Sequence, residues 1–285
     1  MPSEAARHPY AGREVALLTK HGKEAVIAPV LDAALGCRVR RVGGFDTDRL
    51  GTFTRDIPRA GTQLEAARRK ARIGMEIAGL PLGLASEGAF GPDPMLGALP
   101  WNTELVLFLD DERGIEVAGL AQQATRFAHR LTGDWAEARR FAEAAGFPAH
   151  HLVVRPAHPD DPRLVKGIGD WAALEAAFAR ALRLAGNGLV CLEHDVRAHV
   201  HPTRRAAIRL AAENLRDKLL SLCPACGAPG YWLVERVPGL PCADCGAPTR
   251  EARAEVWGCP ACGRRETREL ATALADPGRC DYCNP

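Results

Sequence analysis

Two patterns of apolar and polar residues alternate along the chain up to about residue 221: short apolar runs and apolar residues at helical spacing. Short apolar runs, which are typical of buried strands, occur at 14–19, 37–42, 82–86, 104–110, 115–120, 151–155 and 189–193. Apolar residues at helical spacing predict helices at 23–35, 62–78, 134–145, 170–185 and 203–222. Strands that alternate with helices, with one hairpin at 104–120, indicate an α/β fold with a mixed sheet in a three-layer-like domain.

The ends of one predicted helix are marked most clearly. Thr62 and Glu65 have the capping-box spacing, in which each side chain accepts a hydrogen bond from the other residue's backbone N–H. Gly79 and Pro81 then stop the helix.

Composition changes near residue 222 and divides the chain. Of 285 residues, 47% are apolar and the net charge is +2, which is ordinary for a globular protein and favours no class of partner. We expect a flexible N-terminus at 1–13, an α/β domain at 14–221 and a metal-binding module at 222–285. The chain carries neither a secretory signal nor a membrane-spanning run, so we expect a cytoplasmic bacterial protein.

Eight of the ten cysteines form four Cys-x-x-Cys pairs in the last 64 residues. The pairs are Cys223 and Cys226, Cys242 and Cys245, Cys259 and Cys262, and Cys280 and Cys283. In a reducing compartment this spacing predicts two structural zinc ions, each held by four thiolates, in a double zinc-ribbon-like module. An iron–sulfur cluster and a dithiol redox site are the alternatives.

The order in which the four pairs combine stays open at this level. Sequential pairing would join Cys223, Cys226, Cys242 and Cys245 in one site and Cys259, Cys262, Cys280 and Cys283 in the other. Cross-braced and nested pairings use the same ligands.

Charge argues against nucleic acid as the partner of this segment. Residues 222–285 hold seven arginines and eight carboxylates, and eight thiolates with two Zn²⁺ bring the formal charge to about −5. A surface that follows a phosphate backbone should be positive, although Arg264, Arg265 and Arg268 could form a small basic patch. A structural role or contact with a protein partner is favoured.

Two motifs in the α/β part carry a resemblance to a known family. Thr62-Gln-Leu-Glu65-Ala-Ala-Arg-Arg-Lys70-Ala is followed by a strand and Ser86-Glu87-Gly88, and Thr19-Lys-His-Gly22-Lys23 follows the first strand. This part resembles the inosine/xanthosine triphosphatase-like nucleoside-triphosphate pyrophosphatases, which remove non-standard nucleotides. The whole chain also resembles a bacterial family of domains of unknown function with a multi-Cys-x-x-Cys zinc tail.

The resemblance implies a magnesium-dependent nucleotide hydrolase and assigns tentative roles. Glu87, Lys70 and Glu65 would be catalytic, and the contacts to phosphate or Mg²⁺ would be Thr19, Gly22, Lys23, Asp93 and Arg204. The chain departs from the family pattern where Ala66 and His21 replace asparagines, where the loop lysine is shifted by one position, and where Ser86-Glu87 replaces two aspartates.

The residues also support this chemistry without the family. Lys23 would meet phosphate at a helix N-terminus, and carboxylates such as Glu87 suit Mg²⁺. Each residue has a simpler interpretation: Glu65 as a helix cap, Lys70 as a solvated charge, and Glu87-Gly88 as a polar turn after a strand.

A second polar cluster, Glu193-His194-Asp195-x-x-x-His199-x-His201, precedes the last helix. On an extended segment His199 and His201 would share one face and could bind a metal. The alternative is a polar loop whose helix is capped by Thr203.

Two functions follow from these observations. The first is a nucleotide phosphohydrolase with a structural zinc tail. The second is a ligand-binding protein without turnover, whose zinc module contacts a protein. Convergence of the Lys23, Lys70 and Glu87 side chains on one cleft would favour the enzyme, and side chains that face separate surfaces would exclude it.

Overall fold

A computed structural model describes residues 8–47, 61–95, 97–125 and 127–285. Its strands are β1 Glu14–Leu18, β2 Arg38–Val42, β3 Leu82–Pro92, β4 Pro100–Asp110, β5 Ile115–Ala124, β6 His129–Thr132, β7 Leu152–Pro156, β8 Val165–Ile168, β9 Val190–His194, β10 Trp232–Pro238, β11 Ala252–Gly258 and β12 Arg265–Glu269. Its helices are α1 Glu24–Leu35, α2 Gln63–Ala78, α3 Trp135–Ala144, α4 Trp171–Leu184 and α5 Pro202–Leu220. The predicted α/β class is confirmed.

The first sheet is mixed and has the strand order β2-β1-β3-β4-β5. Strand β1 pairs in parallel with β2 and β3, whereas β3, β4 and β5 pair antiparallel. One face buries Leu84 and Phe108 against α1 and α5, and the other buries Ala85 and Leu107 against α2. Helices therefore cover both faces, which gives the predicted three layers.

Helix α5 lies close to the first sheet because β5 carries a glycine at the contact. A Cβ on Gly119 would overlap the carbonyl oxygen of Ala211 on α5. The side chains of Ile208 and Leu215 on α5 are fully buried in the same core as Leu84. The last helix of the α/β part thus stabilises a sheet built from the first half of the chain.

A second sheet, β6-β9-β7-β8, is antiparallel throughout. It packs Leu152, Val154 and Leu192 against Ala138 of α3 and Phe178 of α4 in a core of its own. The sequence predicted the helices and two of these strands, but it did not predict β6 or β8.

Three details differ from expectation. Residues 1–7 lie outside the described part, but 8–13, expected to be flexible, are packed: Tyr10 is fully buried and donates a hydrogen bond to Asp110. Strand β3 runs on through Glu87 to Pro92, paired to β4 along its whole length, so Glu87-Gly88 is not a turn. Helix α5 is capped by His201 and not by Thr203, because the His201 Nδ1 accepts from the Arg204 N–H.

The C-terminal part forms a three-stranded antiparallel sheet, β10-β11-β12. The turn-rich sequence around it holds the cysteines. No helix in the described ranges is long and apolar enough to cross a membrane.

Candidate functional site

The eight clustered cysteines form two compact groups of four. Cys223, Cys226, Cys259 and Cys262 make the first cluster, and Cys242, Cys245, Cys280 and Cys283 make the second; within each, all Sγ atoms lie within 4.8 Å of one another. Closest Sγ–Sγ separations run from 3.6 to 3.8 Å. Four sulfurs at about 2.3 Å from a tetrahedral ion are about 3.8 Å apart, so each cluster could hold a metal ion.

The pairing is cross-braced, so the sequential alternative is wrong. The first pair combines with the third, and the second pair with the fourth. The antiparallel sheet explains this order: the first and third pairs flank β10 and β11 at one end, while the second pair lies in the turn between them. The second and fourth pairs meet at the other end of the sheet, where Cys242 bridges to Ala275.

The two clusters differ in their surroundings. Cys223 and Cys259 belong to the hydrophobic core that contains Val117 of β5 and Leu219 of α5. None of the cysteines of the second cluster belongs to a core described for the chain. The first cluster is therefore part of the junction with the α/β fold, and the second lies beyond it.

The arginines of the predicted basic patch all form ion pairs within this module. Arg264 and Arg268 both contact Glu266, and Arg265 contacts Glu235 at 2.7 Å. Arg268 also lies over the Trp257 ring, 4.6 Å from its centroid. The charges of these arginines are therefore paired with carboxylates of the same module.

In the α/β part, Lys23 reaches the middle of β3. Its Nζ donates to the Ser86 carbonyl oxygen at 2.6 Å and to the Ser86 Oγ at 3.2 Å. This contact is possible because β1 ends at Leu18, and no strand of the described residues pairs with β3 beyond Ala85 on that side. Lys23 and Ser86 are both buried.

Lys70 reaches the neighbouring residue of the same strand. Its Nζ forms an ion pair with the Glu87 carboxylate, and both side chains are about nine-tenths buried. Gln63, also on α2, donates to the Glu87 carbonyl oxygen at 2.8 Å. The interpretations of Lys70 as a solvated charge and of Glu87 as part of a turn are both wrong here.

Lys23, Lys70 and Glu87 thus meet at two successive residues of β3, but from opposite faces of the sheet. Side chains alternate along a strand: Ser86 faces the α1 and α5 side, and Glu87 faces α2. The two lysines approach the open end of β1 from either side.

A buried ion pair adjoins this place on the α5 side. The Arg204 Nε donates to the Glu104 Oε1 at 2.8 Å, and both residues are almost fully buried. The pair lies directly over Gly88, where a Cβ would overlap the Glu104 carboxylate. Arg204 therefore braces β4 against α5 and is not an exposed phosphate contact.

Charge in this buried cluster is unequal among the described residues. Lys70 pairs with Glu87 and Arg204 pairs with Glu104, whereas the hydrogen-bond partners of Lys23 are a neutral carbonyl and a hydroxyl. Burial, and the nearby charges of Arg204 and Lys70, lower the pKa of Lys23 to about 7; Glu104 and Glu87 oppose this only in part. Lys23 is the cation in excess.

Two predicted metal ligands have other tasks. Glu65 is exposed and completes the capping box with Thr62, and its pKa is lowered by the hydrogen bond from the Thr62 N–H. Asp93 accepts the backbone N–H groups of Met95, Ala98 and Leu99 and closes the loop after β3. Among the described residues, no group of three or more metal-ligating side chains includes Glu65, Glu87 or Asp93, and the magnesium site stays a prediction.

The remaining predicted contacts lie before α1. Thr19 is buried directly after β1, and Gly22 has a φ of +67°, the left-handed conformation that glycine adopts without strain. The Lys23 side chain does not cap α1; the N–H groups of Ala25 and Val26 donate to the backbone carbonyl oxygens of Gly22 and Lys23.

The predicted histidine pair separates. His199 lies in a short 3-10 helix, Ala198–Val200, and its ring stacks on His21 at 5.2 Å between centroids. His201 instead caps α5 and packs against His150 at 4.7 Å. Because the segment is not extended, the two rings do not share a face, and no metal-ligand group of the described residues contains a histidine.

Sequence reasoning missed the residues that complete the cluster. Ser86 was considered only as a replacement for an aspartate, and Glu104 only as the start of a strand. A charged residue inside an otherwise apolar strand, as at Glu104, was the available signal.

Comparison with known proteins adds one finding. The family model for a domain of unknown function, DUF6671, matches residues 70–285. The chain belongs to this family. No curated protein and no solved structure matches it. The match covers α2 from Lys70 onward, α5 and both cysteine clusters, and the resemblance to triphosphate pyrophosphatases stays a prediction.

Proposed function

We propose that the α/β part binds the phosphate groups of a nucleoside triphosphate at the open end of β1 and hydrolyses it. One observation carries the proposal: in the part of the chain that the structure describes, the buried cluster holds three cations, Lys23, Lys70 and Arg204, and two carboxylates, Glu87 and Glu104. A buried charge without a partner is costly. A bound phosphate group would supply the missing negative charge.

The surrounding backbone suits the same ligand. Helix α1 begins beside Lys23, and the N–H groups and dipole of a helix N-terminus favour anions. The site also lies beyond the carboxyl end of β1, and open α/β sheets commonly bind ligands at the carboxyl ends of their parallel strands. Phosphate would contact Lys23 from the end of β1 and Lys70 from the α2 side.

Magnesium enters this proposal only as part of the substrate. Glu65 and Asp93 have other partners, so the residues do not fit a magnesium site held by several carboxylates. A nucleoside triphosphate carries its own Mg²⁺, which is bound through phosphate oxygens and needs few protein ligands.

We propose zinc as the metal of both four-cysteine clusters, in a structural role. Four thiolates leave no open position for a substrate. The junction of the first cluster with the core of α5 and β5 supports a stabilising function. Cytoplasmic location, where the thiolates would stay reduced, belongs to the same proposal.

The second candidate is a nucleotide-binding protein without turnover, whose cysteine module contacts a protein. Pairing of Arg264, Arg265 and Arg268 with carboxylates favours a protein partner over nucleic acid. Measured turnover decides between the two candidates.

The test uses the full chain with both metal sites loaded. Protein and Mg²⁺ are incubated with a panel of normal and deaminated nucleoside triphosphates, and release of pyrophosphate and phosphate is followed. Glu87→Gln keeps the shape of the side chain and removes the charge that holds Lys70, so we expect at least a 10-fold loss of turnover. Glu112→Gln, in an exposed ion pair with Arg13, is the matched control.

Turnover that falls in Glu87→Gln and persists in Glu112→Gln supports the hydrolase, and pyrophosphate as product supports the pyrophosphatase resemblance. Binding of triphosphate without turnover favours the second candidate. If the folded, metal-loaded protein neither binds nor hydrolyses any triphosphate, that result contradicts the proposal.

A further inference from the structure

The contact between Lys23 and Ser86 has the geometry of a nucleophile beside its base. The Lys23 Nζ lies 3.2 Å from the Ser86 Oγ. That distance is within the reach at which an amine can take a proton from a hydroxyl. Ser86 is the residue of β3 at which the open edge begins, next to the proposed phosphate position.

The surroundings of Lys23 favour a neutral amine in the free protein. The side chain is buried, and both carboxylates that face it, Glu87 from β3 and Glu104 from β4, already pair with another cation. The other charges that face it are cations, Lys70 from α2 and Arg204 from α5. A neutral amine can act as a general base, whereas an ammonium cannot.

We infer that Ser86 is the nucleophile of the reaction and that Lys23 is its general base. This inference rests on the proposed function and specifies which group attacks phosphorus. The sequence order, a lysine that caps α1 and a serine on β3, follows no motif of nucleophilic serine hydrolases, and only the three-dimensional contact indicates it.

The first step forms a covalent intermediate. The Ser86 hydroxyl gives its proton to the Lys23 Nζ, the Oγ–phosphorus bond forms, and the bond from that phosphorus to the leaving phosphate oxygen breaks. The leaving group departs as an anion. Bound triphosphate raises the pKa of Lys23, so this step starts from the fraction of complexes in which the amine is neutral, and that fraction grows as the pH rises.

The second step releases the product. A water molecule attacks the same phosphorus, the Oγ–phosphorus bond breaks, and the Lys23 ammonium returns its proton to the Ser86 oxygen. One proton of the attacking water stays on the product phosphate oxygen, and the other goes to solvent. Serine and lysine are then restored, and the net reaction is hydrolysis of one phosphoanhydride bond.

The chain is well suited to a test, because it contains three serines: Ser3, Ser86 and Ser221. Triphosphates labelled at the α or the γ phosphorus are mixed with the full chain, the reaction is quenched in acid within milliseconds to seconds, and peptides are mapped by mass spectrometry. We expect label on Ser86, a loss of turnover of at least 100-fold in Ser86→Ala, and unchanged turnover in Ser221→Ala.

A second measurement separates the base from a merely structural lysine. Lys23→Arg keeps a charge and a donor but cannot take a proton at neutral pH. We expect it to retain triphosphate binding within about 10-fold and to lose turnover and labelling. A structural role alone would leave turnover in Lys23→Arg close to wild type, and that result overturns the inference.

Failure of the inference and failure of the proposed function give different results. If turnover persists in Ser86→Ala, Ser86 is not the nucleophile, but the proposed hydrolase function is retained. If no triphosphate turns over, the proposed function fails, and a fluorophosphonate probe then tests the pair directly. If the probe labels Ser86 in the wild type but not in Lys23→Met, Ser86 and Lys23 remain the nucleophile and base for a different substrate. If the probe does not label Ser86, the inference is refuted.

Discussion

Titration of Lys23 is the prediction that the buried cluster supports in most detail. The amine has an ordinary pKa of 10.5, which its surroundings lower to about 7. Since each pKa unit corresponds to about 1.4 kcal/mol, the charged form is disfavoured by about 5 kcal/mol relative to the unfolded chain. Desolvation is the largest cause, and the charges of Arg204 and Lys70 add to it.

The assay is nuclear magnetic resonance of lysine labelled with ¹³C at the ε carbon. The chain contains five lysines, so five signals are expected, and the signal missing from Lys23→Met identifies Lys23. We expect its midpoint near pH 7. Burial also lowers the pKa of Lys218, whose Nζ donates to the Ala118 carbonyl oxygen, so Lys218→Met is the second reference.

Lys23 should also contribute to the pH dependence of folding stability. Between pH 7 and 10.5 the unfolded chain holds a proton at Lys23 that the folded chain lacks, so folding stability rises with pH in this window, by up to about 1.4 kcal/mol per pH unit. The contribution is complete above pH 10.5 and is lost as the pH falls through 7. Urea unfolding of Lys23→Met should lack this slope.

A midpoint for the Lys23 signal close to the ordinary 10.5 would refute the reasoning. So would equal pH slopes of unfolding free energy in the wild type and Lys23→Met. Either result would mean that water or an unconsidered carboxylate compensates the charge, and that Lys23 is not in excess.

Three further predictions concern the framework. Gly119→Ala should lower the free energy of unfolding by about 1–3 kcal/mol or more, because its Cβ would overlap the Ala211 carbonyl oxygen, whereas Gly186→Ala, with open space around it, should change it little by thermal melting. Cys259→Ser and Cys280→Ser should each reduce the bound metal from two ions to one, as measured by mass spectrometry. Only Cys259→Ser should lower the melting temperature of the α/β part, because Cys259 lies in its core. Equal melting temperatures for the two variants would contradict the different surroundings of the two clusters. Thr62→Ala should cost about 1 kcal/mol through loss of the N-cap, and an unchanged urea midpoint would refute the role of the capping box.

Local patterns predicted most elements because their causes are local. The capping box at Thr62 and Glu65 and the glycine stop at Gly79 follow from neighbouring residues, and both occur as expected. The hairpin of β4 and β5 follows from its turn sequence.

What the sequence did not predict depends on contacts between distant residues. The continuation of β3 past Ser86 depends on its pairing with β4, and the cross-braced cysteine order depends on the direction of β10, β11 and β12. His199 and His201 separate because a short helical turn replaces the expected extended segment. Short-range spacing carries no information on these contacts.

The candidate site also contains residues that the sequence singled out and residues that only the fold brings to them. Lys23, Lys70 and Glu87 were singled out by residue type and by resemblance, and the fold brings them to adjacent positions of β3. Ser86 and Glu104 lie on the consecutive strands β3 and β4, whereas Arg204 comes from α5, far along the chain. The unequal charge of the cluster emerges only when all six are considered together.

Proton uptake on binding of triphosphate tests the central claim, that Lys23 is an excess cation which a phosphate group neutralises. Calorimetry with magnesium and inorganic tripolyphosphate at pH 8, in buffers of different ionisation enthalpy, gives the number of protons taken up. The account predicts uptake approaching one proton, because bound phosphate raises the pKa of Lys23, and no uptake in Lys23→Met. Absence of binding, or binding whose proton uptake is zero or the same in Lys23→Met, would contradict it.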